Sequence, residues 1–176
     1  MEIFKEPWSH IVIDDYYPTE VFDRLLEYSK KKLKDNGFGS DGRFRMRFER
    51  DPDLDEILKD NLISNEFFKY FTDHREYNED CNVYTELSGI IGPYRYKLHS
   101  EAPNKLMSLV VYLGPEDNRG TRLFDKDKKF VKEIEWKPNR AMLFCGEDDV
   151  TWHDYLCDKG KFRMTINQFI ERGDSE

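Results

Sequence analysis

From Asn82 onward turn residues cut the chain into eight short strand-like segments, and this punctuation limits the folds open to it. The segments fall near Val83–Leu87, Tyr94–Glu101, Lys105–Leu113, Thr121–Phe124, Phe130–Trp136, Ala141–Cys145, Val150–Asp154 and Phe162–Glu171. Gly114-Pro115, Asn118-Arg119-Gly120, Pro138-Asn139 and Asp158-Lys159-Gly160 separate them, with residues that favour tight turns. Many short strands with regular turns predict a sandwich or barrel.

The first part of the chain reads as a cap on that core. His10–Asp15 is a short strand, and a helix opens at Pro18-Thr19-Glu20 and runs to about Lys34, with Thr19 as its N-cap. Val21, Phe22, Leu25, Leu26 and Leu33 form its apolar stripe, and Asn36-Gly37 stops it. The basic run Lys30–Lys34 lies where cations suit the helix dipole and reads as a solvated helix end. Arg43–Glu49 alternates strictly, with Phe44, Met46 and Phe48 on one face and Arg43, Arg45 and Arg47 on the other, a strand signature. The arginines read first as an exposed face; the functional alternative is that one or two line a groove selecting an anionic partner. Short helices are expected near Asp53–Lys59 and Asn65–Phe71, then a polar turn at Glu76–Asp80. His10 reads as a loop or strand-start residue and His74 as an exposed helix end. The expected architecture is mainly β with a helical N-terminal cap (α+β), in a single domain over 1–176, with the cap at 1–81 and the core at 82–171.

A chain of 176 residues is long enough for one domain with a proper core. Its net charge of −8 argues against a general nucleic-acid binder, because the phosphate backbone would be repelled. No apolar run is long enough to span a membrane and the N-terminus lacks a signal-peptide pattern, so a soluble, cytoplasmic protein is expected. Cys81, Cys145 and Cys157 show no metal-type pairing and read as reduced thiols.

The chemistry concentrates in a few residues. His99 and Glu101 stand two apart in Tyr96-Lys-Leu-His-Ser-Glu101, and on a strand such residues share a face. His153, in Thr151-Trp-His153, supplies a third candidate ligand. Two imidazoles and a carboxylate on one side of a cation leave the opposite positions open, which suits non-haem Fe(II); zinc accepts the same set. Ten residues past His153 comes Arg163, a permanent charge costly inside a barrel without an anion, with Thr165 on its face. A guanidinium fork beside a hydroxyl is a receptor for a carboxylate.

Taken together, His99-Ser-Glu101, His153 and Arg163-Met-Thr165 resemble the Fe(II)/2-oxoglutarate-dependent oxygenases, in particular the prolyl-4-hydroxylase-like branch with its small bacterial and phage-type members. Trp8-Ser-His-Ile-Val-Ile-Asp-Asp15 resembles that branch's opening strand, and Tyr96 its tyrosine three before the first ligand. Ser108–Leu113, Gly120–Phe124 and Lys137–Phe144 follow in the family's order. The resemblance implies a double-stranded β-helix, a jelly-roll, cupin-like barrel of two sheets. It further implies that His99, Glu101 and His153 bind Fe(II), that Arg163 and Thr165 receive the distal carboxylate of 2-oxoglutarate, and that Tyr112 and Tyr96 serve the same co-substrate pocket. O2 is the other co-substrate, and succinate and CO2 the products beside a hydroxylated substrate. The implied substrate is a peptidyl proline, with a free amino acid, another side chain or a nucleobase behind it. Two departures stand out. The family's usual aspartate is Glu101, one methylene longer, and the tyrosine often found nine or ten residues before the first histidine is replaced by Ile90 and Gly89.

Other residues take ordinary readings. Tyr94 reads as barrel packing, Lys105 as a solvated lysine at a strand start, Trp152 as core or as a shield for the site, and Glu147-Asp148-Asp149 as a solvated loop. Cys145 beside His153 would suit zinc, but no other residue supports it. The segments Gly37–Gly42 and Pro93–Tyr96 are the candidate groove walls. Two alternatives to a hydroxylase remain at this point: a barrel binding module without redox chemistry, and a zinc hydrolase using the same ligands. Oligomeric state is not legible.

Overall fold

The computed structural model describes residues 1–48, 51–71 and 81–173. Strands β1 (Glu2–Phe4) and β2 (His10–Ile13) lead into helix α1 (Thr19–Asn36), then β3 (Arg43–Phe48), helix α2 (Pro52–Leu58) and a 3-10 helix at Asn65–Tyr70. The core follows as β4 (Cys81–Ile91), β5 (Tyr94–Arg95), β6 (Lys105–Gly114), β7 (Thr121–Phe124), β8 (Phe130–Ile134), β9 (Ala141–Phe144), β10 (His153–Cys157) and β11 (Phe162–Arg172). His74 and the turn expected at Glu76–Asp80 lie outside the described residues.

Two antiparallel sheets result. The larger has the order β1-β2-β9-β6-β11-β4-β3, and the smaller β5-β10-β7-β8. Their order, with neighbours in space far apart in sequence, is the double-stranded β-helix expected from the motifs. In β11 the alternation is plain: Met164, Ile166 and Ile170 join the core under the helices, while Arg163, Thr165, Asn167 and Phe169 face a cavity. On β4, likewise, Leu87 enters that core and Glu86, Ser88 and Ile90 line the cavity. On β6, Leu109, Val111 and Leu113 point to the helices, whereas Tyr112 belongs to a second apolar cluster with Trp8, Leu123, Trp136, Met142 and Phe144. The larger sheet is thus sandwiched: helices cover one face, and the small sheet closes the other around a plug of aromatic side chains and an open polar end.

The cap docks through the expected stripe. Leu25 is fully buried, with Val21, Phe22, Leu26 and Leu33 packed against the same core. Thr19 is not the N-cap, however. It is the first helical residue, Pro18 occupies the cap position, and no side chain caps the helix. Helix α2 has the cap that α1 lacks: Asp51 accepts from the backbone N–H of Asp53 and of Leu54, both at 3.1 Å. The Lys32 ammonium meets Asp51 at 2.7 Å and ties the two helices together. Among the described residues no helix is long and apolar enough to cross a membrane.

Candidate active site

β4 extends past the expected Val83–Leu87 to Cys81–Ile91 and β8 stops at Ile134 rather than Trp136, and two further strand assignments shift at the site itself. The strand expected over Tyr94–Glu101 is confined to Tyr94–Arg95, and the one expected over Val150–Asp154 becomes β10 at His153–Cys157. The first shortens because the chain must peel off β10. Tyr96 N–H still reaches Tyr155 O at 3.0 Å, and His99 makes an isolated bridge with His153 through mutual N–H···O bonds of 3.1 and 2.9 Å. Beyond that bridge Lys105 N–H bonds Ala102 O at 2.9 Å, and the turn folds Glu101 inward. The second shifts because Thr151 is bound into a turn, with its N–H and hydroxyl both donating to Glu147 O. His99 and Glu101 therefore converge through a bridge and a turn rather than along one strand face.

The two imidazoles are 4.2 Å apart between ring centres. Nδ1 of His99 donates to Lys97 O at 3.0 Å and Nδ1 of His153 to Thr151 O at 2.8 Å. A carbonyl only accepts, so Nδ1 carries a proton in both rings and Nε2 is the nitrogen left to face the cavity. Burial, and then neighbouring His153, pull the His99 imidazole down to about 4, so it is neutral at pH 7 as a metal ligand must be. His153 Nε2 lies 3.8 Å from Glu101 Oε1. Burial alone would push the Glu101 carboxyl up, but the charges of His153 and Lys105 outweigh it and hold it low. Ser108 Oγ donates to Glu101 Oε1 at 3.0 Å, and the Lys105 ammonium pairs with Oε2 at 2.9 Å.

The site opens into a cavity of about 650 Å³. At its floor Arg163 is only 3% exposed, and its Nε has no hydrogen-bond partner. Aromatic faces surround the guanidinium: Tyr155 at 4.4 Å, Trp136 at 5.1 Å and Tyr112 at 5.6 Å from ring centre to Cζ. No carboxylate among the described residues pairs with it, and burial disfavours its charged form. Thr165, 1% exposed, lines the same wall. Tyr96 lines the cavity too, 4.9 Å from the His99 ring and stacked 4.8 Å from Tyr155. Tyr112 is placed differently. It is fully buried outside the cavity lining, and its hydroxyl donates to Thr121 Oγ1 and accepts from Thr121 N–H, both at 2.9 Å.

The arginines of β3 are answered by acids. Arg43 pairs with Asp41 at 2.5 Å, Arg45 with Glu86 at 2.6 Å and Arg47 with Glu171 at 2.8 Å. Arg43 and Arg45 do line the cavity, but beside their own counter-charges. Sequence reading missed Tyr155, which the shifted β10 carries into the gap between Tyr96 and Arg163, and Lys105, whose ammonium is turned inward onto Glu101. A four-residue separation across a turn leaves no periodic signal, and no feature of the sequence marks that contact.

No three His, Cys, Asp or Glu side chains among the described residues come together closely enough to hold a metal ion. The donor set nevertheless fits a divalent ion: two Nδ1-protonated imidazoles and an ionised carboxylate face one cavity. The unpartnered Arg163 fits a second, anionic occupant.

Comparison with known proteins found no matching family model and no matching curated protein. Solved structures do match. A prolyl-4-hydroxylase from Pseudomonas putida superposes with a TM-score of 0.63 at 13% identity, over 93% of this chain and 92% of that one. A Trichoplax adhaerens prolyl hydroxylase, in complex with a hypoxia inducible factor peptide fragment, gives a TM-score of 0.70 at 16% identity, over 93% and 83%. The chain has the fold of the 2-oxoglutarate–Fe(II) oxygenases. A viral collagen prolyl hydroxylase from Paramecium Bursaria Chlorella virus-1, in its 2-oxoglutarate complex, shares that oxygenase fold with a TM-score of 0.62 at 19% identity, over 93% and 96%. At such identities the likeness lies in the fold.

Proposed function

We propose that this protein is a soluble Fe(II)- and 2-oxoglutarate-dependent dioxygenase, acting as one unit over residues 1–176. It hydroxylates an unactivated C–H bond of a peptidyl proline or another amino-acid side chain. The observation that carries this reading is the buried, unpaired guanidinium of Arg163 in the same cavity as His99, Glu101 and His153. A cation there without an anion costs several kcal/mol by general estimates, and the distal carboxylate of a keto acid offsets that cost. With Fe(II), 2-oxoglutarate and O2 bound, the site supplies oxidative decarboxylation of the keto acid to succinate and CO2, coupled to hydroxylation of the substrate.

The chain's own residues have separable tasks. His99, Glu101 and His153 hold the metal, with their orientation fixed by Lys97 O, Ser108 and Thr151 O. Arg163 and Thr165 bind the far end of the co-substrate, and the stacked Tyr96 and Tyr155 wall the space between from water. Tyr112 acts at one remove, through its contact with the Arg163 guanidinium. A peptide substrate is supported by the peptide complex of a neighbour with the same fold. One observation favours the other reading, a barrel binding module without redox chemistry: the Glu101 carboxylate already has two partners. Succinate formation from 2-oxoglutarate, measured with Fe(II), ascorbate and a proline-containing peptide library, tests the choice. Turnover that depends on Fe(II) and is lost in His153→Ala supports the dioxygenase; iron binding with no succinate from any peptide supports the binding module.

A further inference from the structure

Lys105 touches a proposed metal ligand, yet the proposed chemistry gives it no task. Its side chain is 17% exposed, and its ammonium lies 2.9 Å from Glu101 Oε2 and 3.8 Å above the centre of the Phe169 ring. The aromatic face and the carboxylate hold it between them, at the wall of the cavity. The other carboxylate oxygen, Oε1, takes the Ser108 hydroxyl and is the one nearest His153 Nε2. Gly146 completes the clamp. A Cβ at that position would lie 2.7 Å from Lys105 O and 2.9 Å from Glu101 Cβ, so the bare backbone there makes room for the glutamate stem.

We propose that Lys105 is a positioning residue that pins Glu101 Oε2, so that the longer carboxylate offers a metal Oε1 alone and leaves the neighbouring position for the co-substrate. The proposal rests on Glu101 being a metal ligand. A glutamate has one more rotatable bond than an aspartate, and with it more freedom to turn both oxygens onto one ion. A cation fixed on one oxygen removes that freedom, and its charge also favours the approach of a dianionic keto acid.

The two consequences have opposite signs, which separates positioning from a merely structural role. In Lys105→Met, a cation that repels the metal is gone and Glu101 regains its second oxygen, so Mn(II) binds about tenfold more tightly by calorimetry. In the Mn(II)-loaded variant 2-oxoglutarate binds about tenfold more weakly, because Oε2 competes for its position and a favourable charge is gone. Lys105→Arg keeps the charge and stays close to the parent in both titrations. Lys105→Gln, which retains a donor without charge, shifts both affinities in the same directions as Lys105→Met and serves if the methionine variant folds poorly. If both uncharged variants weaken Mn(II) and 2-oxoglutarate together, or leave both unchanged, while Glu101→Ala still weakens Mn(II), the positioning role is wrong and the ligand role of Glu101 stands. If Glu101→Ala leaves Mn(II) affinity unchanged, the ligand assignment fails, and the inference falls with it.

Discussion

Arg163 and His10 are both buried polar residues with an unpartnered nitrogen, and they lead to opposite expectations. Arg163 cannot shed its charge, so its burial calls for an anionic ligand. Replacing it with methionine removes an uncompensated cation and keeps the volume. The variant should be as stable as the parent or more so, yet lose about 3 kcal/mol, roughly two orders of magnitude, in 2-oxoglutarate affinity. Thermal melting and calorimetry read the two sides separately. His10 can shed its charge and does. Burial, helped by the charge of Lys132 and opposed by its bond to Trp8 O, lowers its imidazole to about 4. The unfolded chain therefore takes up this proton first as pH falls, and the unfolded state binds more protons between about 6.5 and about 4. Stability from this residue is complete above about pH 6.5 and is lost through that window, on the order of 3 kcal/mol in full. Denaturant unfolding at a series of pH values should show that slope together with a like one from His99, and His10→Phe should remove the His10 share and leave the His99 share. The sequence reads His10 as a loop or strand-start residue; it opens β2 and is fully buried, with Trp8 edge-on at 5.4 Å and Phe4 of β1 stacked 5.0 Å away. A three-residue strand with an exposed Ile3 gives no pattern from which to expect that neighbour.

At the scale of elements, legibility followed turn chemistry. β7 lies where expected, and β6, β9 and β11 differ by a residue at their ends, because Gly, Pro and Asn fix where each must stop. The failures are where a tertiary contact decides. Tyr94–Glu101 alternates as a strand does, but the chain leaves the sheet after Arg95 so that Glu101 can meet Ser108 and Lys105. The candidate ligands were legible as residues; the turn that brings them together was not. Gly146 belongs to the same lesson, since its importance comes from the Glu101 stem lying against it. Gly146→Ala should push that stem aside. The expected result is a loss of about 1–3 kcal/mol in stability from overpacking and about tenfold weaker Mn(II) binding, while 2-oxoglutarate affinity per metal-loaded molecule changes little. Denaturant midpoints and calorimetry on the same preparation check both parts.

For the molecule as a whole, the arrangement explains how so few residues would set the proposed chemistry. Helices bury one face of the larger sheet, an aromatic plug fills part of the space between the sheets, and the polar end of that space holds the candidate site. Solved oxygenase structures keep this frame at 13–19% identity, as expected if the frame asks only for alternating apolar residues and well-placed turns. The central claim, that one cavity takes a metal at His99, Glu101 and His153 and a keto acid at Arg163, is tested most directly by anaerobic optical titration. Fe(II) is added to the protein, then 2-oxoglutarate, and the visible metal-to-ligand charge-transfer absorption is followed in the parent, Glu101→Ala and Arg163→Met. The account predicts a band in the parent that saturates with 2-oxoglutarate, is weakened in Glu101→Ala, and in Arg163→Met appears only at far higher co-substrate concentration. Tight Fe(II) binding with no band at saturating 2-oxoglutarate, or a band indifferent to Arg163, would contradict it.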